Sequence, residues 1–313
     1  MTQTPTRWLL ADIGGTNSRV ALYERGRMLS VCKLRNARFD DIEAMLAEAI
    51  RQLPNPAPSG GVLAIAGPCL GDDLSLSNLD WAFNRPTLQA HLSLDRLHVI
   101  NDFEALAYCV PLLGSTDYRQ VGNGKSIDGA PCVLIGPGTG LGVASLIQVD
   151  GRAIALPGEG GHVTLPAHTE AEEAIIDRLR ARHGHCSAER VLSGDGLEKL
   201  HFAMFGEAQT AAQISEDAQR GDTDARETFL QFFDFLATVA GDAALTLGAV
   251  GGLYIGGGIV PANLELFETS SFRERFIDKG RFRAYLDAIP TRIITTDTPA
   301  LTGLAGYVDA LPS

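Results

Sequence analysis

Short apolar runs separated by polar or glycine-rich turns fill the first third of the chain. Runs of this length, bounded by turn residues, predict β-strands. We assign five of them, at residues 8–13, 19–23, 28–34, 61–66 and 97–100. Between the third and the fourth, apolar residues recur at helical spacing over residues 40–53, which predicts a helix with Asp40 as its N-cap. The fifth strand runs into Asn101 and Asp102 and a helix that extends to residue 112.

The same plan starts again further along the chain. Strands are predicted at residues 132–135, 143–149, 152–156, 252–255 and 292–295. Helical patterns dominate residues 169–248, the longest helix covers about residues 223–247, and a final helix covers residues 299–311. Two strand–turn–strand openings, each followed by helices, predict an α/β protein of two related domains. The polar, glycine-rich residues 114–130 lack apolar periodicity, so we place the domain boundary close to residue 113.

The composition indicates a globular enzyme, with 45% hydrophobic and 20% charged residues. The length of 313 residues suits about two domains. A formal net charge of −12 is poorly suited to nucleic acid or to an anionic membrane surface, because both are negatively charged. We therefore expect neither as a partner.

The location of the protein is predicted from its apolar runs and cysteines. No apolar run reaches the roughly 20 residues of a membrane span, and no signal-peptide pattern opens the chain. The five cysteines form no C-x-x-C pair. An odd number of cysteines without a secretory signal is typical of free thiols in a reducing compartment. We expect a cytoplasmic protein.

Three glycine turns follow apolar strands, at residues 14–17, 136–142 and 256–258. Glycines let backbone N–H groups approach a ligand, and a row of such donors binds anions. Each turn taken alone is equally compatible with a tight hairpin. Two common nucleotide motifs do not fit. A dinucleotide fingerprint starting at Gly136 would have Leu141 as its third glycine, and no apolar strand leads into Gly124-Lys125-Ser126 as a P-loop requires.

A fourth turn, at residues 158–162, places Glu159 and His162 among glycines. A carboxylate and an imidazole within a glycine run suggest a site with room for a ligand. The alternative is a flexible surface loop with incidental charges.

Six segments of the chain, taken together and in order, resemble the bacterial glucokinase family of the hexokinase/actin-like ATPase superfamily. They begin at residues 10, 100, 135, 156, 188 and 253 and read LADIGGTNSR, INDFEA, IGPGTGLG, LPGEGGH, AERVLSG and LYIGGGIVP. The resemblance implies an α/β fold of two actin/hexokinase-like (ribonuclease H-like) domains with a cleft between them. It also implies that the last helix returns to the first domain. The expected domains are then residues 1–112 with about 299–313, and residues 113–298.

The resemblance implies ATP-dependent phosphorylation of glucose at its 6-hydroxyl, with Mg²⁺, by a cytoplasmic homodimer that feeds glycolysis. Asp102 would be the catalytic base, because a carboxylate can orient a hydroxyl and accept its proton. The alternative role for Asp102 is the N-cap of the helix that follows it. The implied sugar-binding residues are Asn101, Asp102, Glu159, His162 and Glu189.

The implied ATP site draws on all three glycine turns. Its residues are Asp12, Gly14, Gly15, Thr16, Asn17, Thr139, Gly140, Gly257 and Gly258. Asp12 would also interact with Mg²⁺, through water. Gly67 and Asn78 are further candidates for the sugar side. Glu189 has the alternative role of a surface ion pair with its neighbour Arg190.

Other functions remain open at this point. One is a kinase for another hexose, because clamp residues of this type do not distinguish epimers. A second is a non-catalytic sugar sensor, and a third is an actin-like filament protein. Polyphosphate is an alternative donor to ATP. A zinc site at His183, His185 and Cys186 is disfavoured, because three ligands within four residues rarely close a tetrahedron.

Overall fold

The computed structural model describes residues 6–311, which form two compact units. Among the described residues, unit 1 comprises residues 6–113 and 297–311, and unit 2 comprises Gly114–Thr296. The two ends of the predicted first domain, residues 1–5 and 312–313, lie outside the described residues.

Unit 1 is built on a five-stranded sheet. Its strands are β1 (Arg7–Ile13), β2 (Asn17–Glu24), β3 (Arg27–Arg35), β4 (Gly60–Ile65) and β7 (Arg96–Asn101). The strand order is β3-β2-β1-β4-β7, with the first three antiparallel and β1, β4 and β7 parallel. The carboxyl ends of these three parallel strands therefore meet at one edge of the sheet. A separate hairpin joins β5 (Asp73–Ser75) to β6 (Ala82–Asn84).

The helices that follow these strands are α1 (Ile42–Gln52), α2 (Arg85–His91) and α3 (Asp102–Cys109). The N-cap prediction for α1 is wrong by one residue, because Asp41 rather than Asp40 accepts from the Ala44 N–H, at 2.7 Å. Ile42, Met45, Leu46 and Ala49 form the buried stripe of α1, at the spacing that the sequence pattern predicts.

Unit 2 contains a six-stranded sheet and most of the helices. Its strands are β8 (Tyr118–Val121), β9 (Cys132–Pro137), β10 (Leu141–Val149), β11 (Arg152–Gly158), β12 (Gly252–Ile255) and β13 (Thr291–Ile294). The order β11-β10-β9-β12-β13-β8 begins with three antiparallel strands, and two strands parallel to β9 follow. This repeats the plan of unit 1. The additional edge strand β8 lies within residues 114–130, which the sequence pattern predicted to be an irregular linker. The prediction is wrong for these four residues.

The longer helices of unit 2 are α4 (Glu170–His183), α5 (Gly194–Phe205), α6 (Ala211–Arg220) and α7 (Thr223–Leu247). Four short ones follow: α8 (Ile259–Ala262), α9 (Leu264–Glu268), α10 (Phe272–Ile277) and α11 (Arg283–Asp287). Within residues 6–311, α7 alone has the length and apolar composition of a membrane span. Of its most apolar stretch of 18 residues, 56% is buried inside the protein. Phe229, Phe232 and Phe233 of α7 are fully buried, so its apolar residues build the core of unit 2.

The last helix, α12 (Pro299–Ala310), belongs to unit 1. Its residues Leu301 and Leu304 are fully buried in one cluster with Trp8, Leu10 and Val62. A Cβ at Gly303 would lie 1.7 Å from the carbonyl oxygen of Ala105 in α3. Only glycine permits this approach, so α12 holds α3 tightly in place.

Candidate active site

The carboxyl edge of the unit 1 sheet gathers several of the predicted residues. Ile13 of β1 pairs with Ile65 of β4, and Ile65 pairs with Asn101 of β7. Asp12 at the end of β1 and Asp102 just after β7 therefore come from strands that end at the same level. Ligands in α/β proteins bind at this edge.

Asn101 is the N-cap of α3, and Asp102 is the first residue of that helix. The Oδ1 atom of Asn101 accepts from the N–H groups of Phe103 and Glu104, at 2.8 and 3.2 Å. Its Nδ2 donates to the carbonyl of Gly67 at 3.2 Å, which links β7 to the turn after β4. The cap role considered for Asp102 thus belongs to Asn101. Asp102 is half-buried, and its own Oδ1 accepts from the Phe103 N–H at 2.9 Å.

The turn at Gly14–Asn17 joins β1 to β2 and is fixed by a residue that the sequence analysis did not identify. Asn36 is 2% exposed. Its Nδ2 donates to the Gly14 carbonyl at 2.6 Å, and its Oδ1 accepts from the Ser18 hydroxyl at 2.8 Å. The Asn36 N–H donates to the carbonyl of Thr16 at 3.0 Å. Three hydrogen bonds from one buried residue thereby set the shape of the first glycine turn.

Asp12 lies in a site that disfavours its charge. Burial raises the pKa of its carboxyl above the ordinary value of 3.8, and the guanidinium of Arg19, 3.8 Å away, partly opposes this shift. A cation close to this carboxylate would stabilise the ionised form. The site therefore offers a hard oxygen ligand in a poorly hydrated position.

Asn78 also approaches the first glycine turn. Its backbone oxygen lies 3.4 Å from the position of a Cβ on Gly15, and its Oδ1 is buried without a hydrogen-bond partner. A buried amide oxygen without a partner is costly, so this atom is suited to accept from a bound ligand.

In unit 2, the second glycine turn and Glu189 come together. The Oε2 atom of Glu189 accepts from the Leu141 N–H at 2.8 Å. A Cβ on Gly140 would lie 2.5 Å from that oxygen, so glycine is required there for the carboxylate to approach. The Gly194 N–H donates to the Gly138 carbonyl at 2.9 Å. The Glu189 side chain is thus hydrogen-bonded to the second glycine turn, rather than forming the alternative surface ion pair with Arg190.

The fourth turn contacts the same region. The Glu189 N–H donates to the Gly161 carbonyl at 2.8 Å. Glu159 and His162 lie on either side of Gly161, with 3.9 Å between the Glu159 Oε2 and the His162 Nε2. Both side chains are about 60% exposed (59% and 61%), so they are available to a ligand.

The third turn completes the set in unit 2. The Gly256 N–H donates to the Ile135 carbonyl at 2.9 Å, which places the end of β12 beside the start of the second turn. Thr139, Gly257 and Gly258 are exposed. Among residues 6–311, no cluster of three or more His, Cys, Asp or Glu side chains is suited to hold a metal ion.

The predicted residues therefore form two sets. Unit 1 brings together the carboxyl ends of its parallel strands and the first glycine turn. Unit 2 brings together the other three turns and Glu189. Asn36 could not be found from the sequence, because a single asparagine after a strand belongs to no motif.

Comparison with known proteins finds matches over nearly the whole chain. A family model described as glucokinase matches residues 9–311. A glucokinase of Nitrobacter hamburgensis is 45% identical over 305 residues, which cover 95% of each chain. The crystal structure of a glucokinase from an Antarctic psychrotroph has a TM-score of 0.87 at 34% identity, over 98% of this chain and 99% of that one.

A more distant solved structure shares the fold. It is a ROK family glucokinase from Streptomyces griseus, in complex with glucose and AMPPNP, with a TM-score of 0.64 at 18% identity. The match covers 97% of this chain and 98% of that one. The predicted two-domain sugar kinase fold is thereby confirmed.

Proposed function

The chain belongs to the glucokinase family, and we infer that it transfers a phosphoryl group from ATP to the 6-hydroxyl of glucose. The products are glucose 6-phosphate and ADP. The full-length relatives named glucokinase favour glucose over another hexose, and a catalyst over a sugar sensor.

The observation that carries this function is the position of Asp102. It starts α3 at the carboxyl edge of the sheet, and the Asn101 cap fixes the backbone beside it. A glucose hydroxyl is a poor nucleophile at neutral pH. We assign to Asp102 the role of orienting the 6-hydroxyl and accepting its proton as the bond to phosphorus forms.

The sugar clamp would combine hydrogen-bond acceptors and donors of the predicted residues. Glu159 and Glu189 would accept from pairs of sugar hydroxyls, because carboxylates form strong charge-assisted hydrogen bonds. His162 and the remaining Nδ2 hydrogen of Asn101 would complete the clamp. Glu189 already accepts from Leu141, and this contact orients its second oxygen.

The triphosphate would be held by backbone N–H groups of the glycine turns. Gly14, Gly15, Thr16 and Asn17 would bind from unit 1. Thr139, Gly140, Gly257 and Gly258 would bind from unit 2, the last two against the adenosine. Transfer of a phosphoryl group depends mainly on positioning and on neutralising charge.

Asp12 fits a role in holding Mg²⁺. This ion keeps several water ligands and binds through one or two carboxylates and substrate phosphates, so a full protein cage is unnecessary. The half-buried carboxylate of Asp12 would supply one such oxygen, directly or through water. When bound, the ion would neutralise negative charge on the phosphates.

The test is ADP production from Mg²⁺-ATP with glucose, mannose, fructose, glucosamine or no sugar. We expect turnover with glucose to exceed that with the other sugars. Asp102→Asn should lower kcat by about 10²- to 10⁴-fold. Glu104→Gln, in the same helical turn, is the matched control and should keep kcat within about twofold of the wild type.

Two outcomes would contradict this assignment. Faster turnover of another hexose would change the substrate, and near-normal kcat in Asp102→Asn would remove its role as base. Replacement of ATP by polyphosphate tests the donor in the same assay. The homodimer and the cytoplasmic location stay predictions.

A further inference from the structure

A groove in unit 2 combines basic side chains with an aromatic wall. It lies between the C-terminal halves of α4 and α5 and has a volume of about 450 Å³. Arg178, Arg182, His183 and Lys199 line it together with Phe202 and Phe205. Three of these side chains, Arg178, Arg182 and Lys199, are cationic, although the chain has a formal net charge of −12.

The positive charge of the groove is only partly neutralised. Among the ion pairs of residues 6–311, Lys199 pairs with Asp195, whereas Arg178 and Arg182 pair with no carboxylate. Arg178 donates to the carbonyl of Ala203. The guanidinium of Arg182 lies 5.2 Å above the ring of Phe202.

One buried nitrogen of a residue that lines the groove, and one of an arginine whose charge acts on that residue, lack hydrogen-bond partners. The Nε2 atom of His183 and the Nε atom of Arg190 are both buried without a hydrogen bond. The pKa of His183 is lowered mainly because the ring is removed from water, and to a lesser extent by the positive charges of Arg190, Lys199 and Arg182. The ring is therefore neutral at pH 7, and its position among cations is suited to an anion rather than to a metal ion.

We propose that this groove binds a small organic phosphate. Guanidinium groups bind phosphate oxygens through paired hydrogen bonds, and the Lys199 ammonium adds a further charge. The ring of Phe202 is 42% exposed and would pack against the carbon portion of the ligand. The ligand class is thus a phosphate monoester with an apolar or ring-shaped part.

The groove is connected to the sugar-binding residues by a short segment. Residues 184–193 link α4 to α5 and contain Arg190 next to Glu189. The first residue of α5, Gly194, donates to Gly138 of the second glycine turn. His183 and Lys199, which both line the groove, lie on either side of this segment, so a ligand that draws them together would shift Glu189 and change KM for glucose. This consequence rests on the proposed function, whereas ligand binding does not.

Calorimetry with three probes tests binding. Phenyl phosphate carries both parts of the ligand, inorganic phosphate lacks the ring, and phenol lacks the charge. We expect phenyl phosphate to bind at least fivefold more tightly than inorganic phosphate, and phenol not to bind. Equal affinity for phenyl phosphate and inorganic phosphate, or binding of phenol alone, would overturn the proposed ligand class.

Variants locate the site. In Arg182→Gln/Lys199→Gln, the affinity for phenyl phosphate should fall at least tenfold. Arg152→Gln/Arg220→Gln removes the same charge from exposed positions of unit 2 and should bind like the wild type. Unchanged affinity in the first variant would overturn the site, including the case in which the probe binds at the glycine turns. Circular dichroism verifies that both variants are folded.

Kinetics test the connection to Glu189. Phenyl phosphate should change KM for glucose at least threefold in the wild type and leave KM unchanged in Arg182→Gln/Lys199→Gln. A constant KM in the wild type would overturn the connection. Because calorimetry needs no turnover, failure of the proposed kinase reaction would be distinguished from failure of the groove.

Discussion

Asp12, the residue proposed to hold Mg²⁺, lowers the stability of the folded protein at neutral pH. A carboxyl whose pKa is raised in the folded protein binds its proton more tightly there than in the unfolded chain. The protonated group therefore favours folding at low pH, and this contribution is lost as the pH rises through the folded pKa. At pH 7, the charge of the half-buried Asp12 is a cost that the ion pair with Arg19 offsets only in part.

We expect Asp12→Asn to increase the free energy of unfolding at pH 7, because it removes this half-buried charge. The increase should narrow as the pH falls and vanish below 3.8, where the unfolded carboxyl is also protonated. Urea unfolding between pH 7 and pH 4 measures it. Asp40→Asn, at an exposed position, is the control. A difference from the wild type that is independent of pH would contradict the explanation, and kinase activity should be lost in Asp12→Asn.

The individual residues of the site were predictable to different degrees. Residues in motifs, such as Glu159 and Gly140, could be proposed because their segments resemble those of a known family. The hydrogen-bond partners of the site residues could not be predicted. The contact of Glu189 with Leu141 joins positions 48 residues apart, and no local pattern encodes it. Asn36 was missed for the same reason.

At the scale of elements, apolar runs predicted every strand of the two large sheets except β8, because central strands are buried on both faces. The 25-residue helix α7 was predicted at its observed bounds. Short edge elements were missed, among them β5, β6 and β8. Only one residue of β5 is buried, and β8 is a four-residue edge strand, so neither contains enough apolar residues to show a period.

The packing of α12 on α3 leads to a prediction at this scale. Gly303→Ala would place a methyl group 1.7 Å from the carbonyl oxygen of Ala105, so one helix must move. We expect a loss of about 1–3 kcal/mol or more in the free energy of unfolding. Because α3 begins with Asp102, kcat should fall as well. Chemical denaturation and the ADP assay measure the two effects.

Two further substitutions in α12 serve as controls for Gly303→Ala. Gly306→Ala should be milder, since its Cβ would lie 2.8 Å from the Tyr108 carbonyl oxygen. Thr302→Ala, between the two contact positions, should have little effect. Equal stability of Gly303→Ala and Thr302→Ala would show that the close approach is not a constraint.

At the scale of the whole molecule, each unit has its own core. The phenylalanines of α7 and α10 fill unit 2, whereas unit 1 is closed by leucines of its sheet and of α12. Both tryptophans of the chain, Trp8 and Trp81, lie in unit 1. Tryptophan emission therefore reports on unit 1 alone.

This distribution makes the role of α12 measurable. Leu301→Ala removes a fully buried side chain and should cost unit 1 about 2–5 kcal/mol. We monitor unfolding by tryptophan emission and expect the midpoint of the transition to move to a lower denaturant concentration. Leu200→Ala, equally buried in unit 2, should move it less. Equal shifts in the two variants would mean that the chain unfolds as one cooperative body.

The return of α12 to unit 1 also determines when that unit can fold. A ribosome releases the sheet of unit 1 first, but the helix that covers Trp8 and Leu10 emerges only after all of unit 2. At about 5–20 residues per second, the delay is roughly ten to forty seconds. During this time unit 2 is being synthesised, and the nascent chain exposes one apolar sheet face of unit 1. The half that carries Asp102 is thus the last to complete its core.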